Sequence, residues 1–282
     1  MLKPVVARLE LVSFQSVAVL LISACLFSAA PALADPVTVR YKEGLIHGFL
    51  SVSTVDGDLI GTGDLTQVAH GDRVTTHLDL RLKDGSRQEE TTVFSQHGAF
   101  RLISYHLTQQ GPAFKTPTDL SITASTGQVT VQYTDDEGKG KTVSEHLKLP
   151  PDLANGLVPT LLKNLRPEVS QLEVSMVVAT PKPRLVKLSI STHGNDQFSV
   201  VGWGRAAIDY TIKVDLGGIA GVVAPMIGKQ PPDTHIWILG GDAPAFVKSE
   251  VLAFGGGPIW RIELASPTWP RAAQPDEKAM KQ

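Results

Sequence analysis

Cysteine is nearly absent: the 282-residue chain holds one, Cys25, inside an apolar stretch close to the N-terminus. That count excludes a disulfide-stapled scaffold and a Cys-ligated zinc site. Positive charge is not in excess either, with 26 Lys and Arg against 28 Asp and Glu. Nothing is therefore set up to hold a phosphate backbone, and nucleic acid is not an expected partner. Beyond residue 34 no apolar run is long enough to form a membrane-crossing helix. Charged residues make up only 19% of the chain against 42% hydrophobic ones, so bulk disorder is excluded as well.

Catalytic signatures are also missing. No Gly-x-Ser-x-Gly elbow occurs; the nearest candidate, Gly85-Ser86, sits in a turn with no second glycine. The histidines are His47, His70, His77, His97, His106, His146, His193 and His235, and none forms His-x-His or His-Glu-x-x-His. Zinc needs three or four converging ligands, which short spacings supply most directly. Each of these histidines reads instead as a strand or turn residue. Glu145-His146 and His77-x-Asp79 are candidate acid–base pairs, but adjacent strand residues face opposite ways, which disfavours the first. Asp56-Gly57-Asp58 starts like a calcium loop, yet Ile60 and Gln67 stand where two ligands are required. Around Gly228-Lys229, Val223 and Gln230 replace the residues a phosphate loop needs. Gly255-Gly256-Gly257-Pro258 lies between strands, where no helix N-terminus could hold an anion. No catalytic residue, metal site or cofactor is therefore assigned.

What is present begins with an address. Lys3 and Arg8 precede an apolar stretch from Val17 to Ala30, and Ala32-Leu33-Ala34 closes it before Asp35-Pro36. A positive start, a short apolar middle and a small-x-small end describe a secretory signal peptide, residues 1–34, cleaved after Ala34. Two alternatives stay open. Leu11 to Ala34 is long enough to remain as an uncleaved anchor, and Ile22-Ser23-Ala24-Cys25 has the form of a lipobox in which Cys25 would be lipidated. The expected location is the bacterial periplasm or the exterior, with membrane contact only through a lipidated Cys25 or an uncleaved signal.

The remainder reads as strands. From Arg73 to Leu82 the even positions are apolar or β-branched and the odd ones polar, the alternation of a half-buried antiparallel strand. Lys83-Asp84-Gly85-Ser86 supplies a hairpin turn. Gln96-His97-Gly98, Ser125-Thr126-Gly127 and His193-Gly194-Asn195-Asp196 punctuate further strands in the same way. The pattern predicts strands near 37–42, 45–55, 59–69, 73–82, 87–96, 99–109, 118–124, 128–134, 142–149, 171–180, 184–192, 197–203, 206–215, 234–239, 245–253 and 259–265. Strand–helix–strand alternation and internal repeats are both absent, which disfavours doubly wound folds and propellers.

Two segments break the pattern. Pro151 to Arg166 carries leucines, among them Leu157 and Leu161, at helical spacing, interrupted by Gly156 and Pro159. Leu216 to Gly228 is apolar and rich in small residues, with Ile219, Val222 and Met226. The expectation is one β-rich domain over 35–266, with a possible division near 151–166, then a disordered tail over 267–282. The fold class is mainly β: a large curved antiparallel sheet, a half-barrel or open barrel, with one or two short helices as a lid. An outer-membrane barrel is not expected, because no aromatic girdles flank a lipid-facing band.

Trp203, Trp237 and Trp260 lie on or beside the last strands, and Trp260, Ile262 and Leu264 share one strand face. They are ordinary core, or they line a cavity for an apolar ligand together with Trp203 and Trp237. In that second reading Leu157, Leu161, Ile219, Val222 and Met226 form the lid. An export signal, a long meander and a short helix inserted midway resemble the lipoprotein-carrier and mycobacterial lipoprotein type half-barrels. Tyr41-Lys42-Glu43-Gly44 and Leu59-Ile60-Gly61-Thr62-Gly63-Asp64-Leu65 resemble exported β-rich proteins of unknown function. The resemblance implies a lidded sheet holding a lipid or other apolar molecule, without catalysis. The alternatives are a periplasmic scaffold or interaction protein, and a hydrolase with dispersed catalytic residues.

Overall fold

The computed structural model describes residues 36–135, 137–166, 168–179, 182–200, 203–215 and 231–265. The expected signal segment, the tail, Cys25 and the lid candidates Ile219, Val222 and Met226 lie outside the described residues. The strands are β1 (Ile46–Thr54), β2 (Leu59–His70), β3 (Arg73–Leu82), β4 (Arg87–Ser95), β5 (Arg101–Gln110), β6 (Thr118–Thr123), β7 (Gln128–Thr134) and β8 (Gly140–His146). A connector carrying α1 (Val158–Asn164) leads to β9 (Gln171–Val178), β10 (Arg184–Val200), β11 (Trp203–Asp215), β12 (Thr234–Leu239), β13 (Ala245–Leu252) and β14 (Ile259–Leu264). All belong to one compact unit, Ala34–Gln282.

These strands form one 14-stranded antiparallel sheet in the order β8-β7-β6-β5-β4-β3-β2-β1-β14-β13-β12-β11-β10-β9. The two ends of the meander meet in its middle, where β1 pairs with β14 through Leu50 opposite Leu264 and Val52 opposite Ile262. Its outer edges, β8 and β9, do not pair, so the sheet is open. The mainly β expectation holds, with α1 the one α-helix among the described residues.

The sheet nevertheless curls. One apolar core gathers Phe94, Tyr105, Leu120 and Val131 from one wing with Val174, Leu188, Ile190, Tyr210 and Ile238 from the other. Strands so far apart in sheet order share a core only if the sheet bends around it. The connector fills the middle: Leu153, Ala154, Leu157, Leu161 and Leu162 are all buried in that core. Burying each leucine contributes about 1.5–3 kcal/mol. A second, smaller core covers the β1–β14 seam, where Leu50, Val52, Leu80, Trp260 and Ile262 meet Phe114 and Phe254 from two loops. Close packing beside the seam needs glycine. A Cβ at Gly63 would stand 2.5 Å from the Leu80 side chain, and one at Gly61 2.5 Å from the Arg81 carbonyl oxygen.

Two expectations are corrected. Residues 37–42 form no strand, only a bridge between Thr38 and Ala99. The expected turn at His193-Gly194-Asn195-Asp196 is continuous strand, because β11 supplies partners such as Ala207 opposite Asp196, with a register shift between Thr192 and Gly194. The helix inside 151–166 is short, as the interruptions at Gly156 and Pro159 imply: Pro159 stands in the first turn of α1, and Gly156 just before it adopts φ +69°, a turn conformation rather than a helical one.

Candidate functional site

Of the five residues expected to line an apolar cavity, the four whose side chains are described do not gather around one cavity. Trp260 and Ile262 lie in the seam core, with the Trp260 ring 5.7 Å from that of Phe114. Leu264, on the same strand face, is 47% exposed. Trp237 is on the other side of the sheet, because strand alternation turns it away from its core neighbours Ile236 and Ile238. There its indole Nε1 donates to Asp196 Oδ2 at 2.7 Å, Lys248 Nζ stands 3.7 Å from its ring centre, and His235 stacks against it. Trp203 starts β11, and its side chain lies outside the described part. Leu157 and Leu161 are packed into the core itself. A pocket between connector and sheet, lined by Pro36, Val37, Phe100, Leu153, Leu157 and Val174 among others, holds about 10 Å³. That is room for one water.

Polar groups on the core face hold the connector in place. Gly156 packs so closely that a Cβ there would lie 1.9 Å from Thr92 Oγ1 and 2.9 Å from Glu90 Oε1. Tyr105 donates its hydroxyl to Glu90 Oε2 at 3.0 Å. Burial, with no cation to offset it, pushes the Glu90 carboxyl above the usual carboxylate range, and burial likewise pushes Tyr105 well up. Nearby, the Tyr41-Lys42-Glu43-Gly44 segment is tied down at several points. Lys163 Nζ stands 2.5 Å from Glu43 Oε1, Gln67 donates to Glu43 Oε2 at 2.8 Å, and the Glu43 amide donates to Gln96 Oε1 at 2.7 Å. Asn164 Oδ1 accepts the amides of Arg40 and Tyr41 at 2.9 and 2.7 Å. These groups pin α1 to the sheet and are spent on one another, so none is free for a ligand.

Four histidines meet carboxylates: His47 with Asp64 at 3.3 Å, His97 with Asp72 at 2.8 Å, His106 with Asp119 at 3.1 Å and His235 with Asp209 at 3.1 Å. Nucleophilic catalysis needs a hydroxyl hydrogen-bonded to the imidazole. Beside His235 the candidate is Thr211, whose buried Oγ1 has no hydrogen-bond partner among the described residues, the imidazole included. His97, His47 and His106 lie on open surface, their side chains 86, 57 and 50% exposed. Among the described residues no group of three or more His, Cys, Asp or Glu is arranged to hold a metal ion.

The register brings together a set that sequence reasoning did not find. His47 pairs with Thr66, Thr66 with His77, His77 with Thr91 and Thr91 with His106. The row continues from His106 to Ser121, Thr130 and Ser144. It therefore crosses all eight strands from β1 to β8 on the face turned away from the core. Histidine and hydroxyl alternate through its first five positions, and hydroxyls complete it. His77 Nδ1 lies 3.1 Å from Thr91 Oγ1, and Thr130 Oγ1 3.0 Å from Ser144 Oγ. The neighbouring row carries Asp64, Asp79, Glu89 and Asp119. Each histidine stands at a polar position of an alternating strand, which is legible in sequence. Their alignment is not, because it depends on the register of seven successive pairings.

No family model matches the chain, and no curated protein matches it. Among solved structures it is similar to a beta-barrel-like protein of domain of unknown function DUF1849 from Brucella abortus, at 11% identity and a TM-score of 0.42, covering 79% of this chain and 94% of that one. The comparisons lend no support to the lipoprotein-carrier resemblance.

Proposed function

We propose that the chain is an exported, non-catalytic interaction protein of the bacterial envelope that works through the outside of its sheet. The observation that carries this reading is which face of the sheet the connector covers and which it leaves open. The core face is filled by the chain's own connector, with Leu153, Leu157 and Leu162 buried against both wings. The His–hydroxyl row from His47 to Ser144, by contrast, lies on a broad polar face. Such a face suits a partner that offers matching hydrogen-bonding and charged groups. The test is capture from envelope extract by the whole chain, compared with a His47→Ala, His77→Ala, His106→Ala variant whose circular dichroism is unchanged. Loss of the captured partner supports the reading; equal capture by both chains refutes it. Export is tested separately, by cell fractionation and N-terminal sequencing, with Asp35 as the expected first residue.

A second reading, an apolar ligand, is favoured by one observation. Ile46 and Leu264 are 37 and 47% exposed although they share the core face of the β1–β14 seam. Native mass spectrometry after mild extraction decides it: a bound lipid supports a binding groove there, and a bare chain mass eliminates it.

A further inference from the structure

The two edges of the sheet are treated in opposite ways. At β9 the connector takes up the exposed backbone groups. Ala154 donates its amide to the Ser175 carbonyl at 2.8 Å, and the Ser175 amide donates to the Asp152 carbonyl at 3.2 Å. The Asn155 side chain then serves Val177 twice, donating to its carbonyl at 2.8 Å and accepting its amide at 2.9 Å. Ser175 Oγ and Lys187 Nζ both bond the buried Asp152 carboxylate, which anchors the strap. At β8, among the described residues, no strand or bridge lies beyond the edge. Gly140, Lys141, Thr142, Ser144 and His146 are exposed there. Bare edges of this kind template the addition of another strand.

The sequence of β8 names the strand that fits. Reversed and centred on Val143, Gly-Lys-Thr-Val-Ser-Glu-His sets Lys141 against Glu145, Thr142 against Ser144, and Val143 against itself. Lys141, Val143 and Glu145 share one face, since they pair across β7 with the alternate residues Tyr133, Val131 and Val129. Thr142 and Ser144 share the other. An antiparallel copy of the same strand thus brings opposite charges together twice, around a valine contact. On the far face it brings hydroxyl to hydroxyl, as already seen within the chain between Thr130 and Ser144. Lys141 has an ion pair with Asp135 at 3.3 Å, but its side chain is 48% exposed and flexible enough to serve both. Glu145 has no ion pair among the described residues.

We infer that β8 is a self-recognition edge: two copies of this chain pair β8 to β8 about a two-fold axis at Val143. The inference is independent of the partner proposed above, since it concerns only a second copy. In the pair, the outer hydroxyl row runs on from Ser144 to Thr142 of the second copy. A seven-residue edge buries less than the ~1,200 Å² of a stable interface, so the dimer is weak and depends on concentration.

The test uses the whole chain as the cell produces it, carrying Cys25→Ser so that an introduced thiol is alone. Under copper–phenanthroline oxidation, Val143→Cys forms a disulfide-linked dimer, because a directly opposed strand pair is near disulfide geometry. Lys141→Cys and Glu145→Cys do not link by themselves but link when mixed, and Ser144→Cys links poorly. Sedimentation of the unmodified chain shows a concentration-dependent dimer that Lys141→Glu weakens several-fold and Lys141→Glu with Glu145→Lys restores. A monomer at every concentration overturns the inference. So does linkage of all four positions alike, or a Lys141→Glu chain that sediments as the parent does.

Discussion

Asp79 and Glu90 stand on opposite faces of the same strand pair, and their environments push them in opposite directions. Asp79 is buried on the outer face, yet two guanidinium groups reach it. Arg87 donates through Nε at 2.9 Å and Nη2 at 3.0 Å, and Arg81 through Nη2 at 2.5 Å. Chiefly through the Arg87 bonds, its carboxyl is held below the usual carboxylate range. Glu90 follows Glu89, the residue paired with Asp79, and so faces the core, where only the Tyr105 and Thr92 hydroxyls meet it. Its carboxyl is pushed up by burial. The two sites thus act as different solvents. Around Asp79, long cationic side chains lie on the strands and keep their heads in water; around Glu90, a charge finds hydrocarbon and two hydroxyls.

The sharpest way to break that contrast is to disturb the dry side. Gly156→Val adds a branched side chain where even a Cβ would stand 1.9 Å from Thr92 Oγ1, at φ +69°. Strain and overpacking together should lower stability by about 3–5 kcal/mol, read as a fall in the urea midpoint. Leu157→Ala, 1% exposed beside it, should cost about 2–4 kcal/mol through the cavity it leaves. His106→Ala on the outer row should change stability by less than about 0.5 kcal/mol, since only an exposed pair with Asp119 is lost. Equal losses for Leu157→Ala and His106→Ala would mean that the two faces do not differ in the way proposed.

How much of this was legible in sequence follows the range of the forces. Arg73–Leu82 and Gln128–Thr134 are found where alternation places them, because a half-buried strand writes its period locally. The shortened helix was foreshadowed by Gly156 and Pro159. Two features depend on distant partners and were not legible. The strand runs through His193-Gly194-Asn195-Asp196 because β11 is there to pair with it. Glu43, Gln67, Gln96 and Lys163 meet only after the sheet has curled and the connector has docked. The face of Trp237, by contrast, is written locally: its neighbours Ile236 and Ile238 occupy the core face and leave it the other.

On the outer face, Asp79→Ala should cost about 1–2 kcal/mol near neutral pH. It removes a buried acceptor, while the arginines it leaves behind can return to water. The lowered carboxyl also sets a sign. Asp79 adds stability above its ordinary value of 3.8, and that part is lost as pH falls through its lower folded value. In strong acid the parent and Asp79→Ala chains should therefore converge, which urea midpoints measured down the acid limb will show.

Glu90 gives the opposite slope. Its folded value is raised from the ordinary 4.5, so its contribution is complete below that value and is lost as pH rises through the folded one. Glu90→Gln keeps the shape and an acceptor for Tyr105 but cannot ionise, so this decline should vanish. Urea midpoints from about pH 4 to about pH 8 should fall less for the variant than for the parent. Parallel curves would mean that the Glu90 carboxylate meets no desolvation that its partners leave uncompensated, and its site would then be no more hostile to charge than that of Asp79.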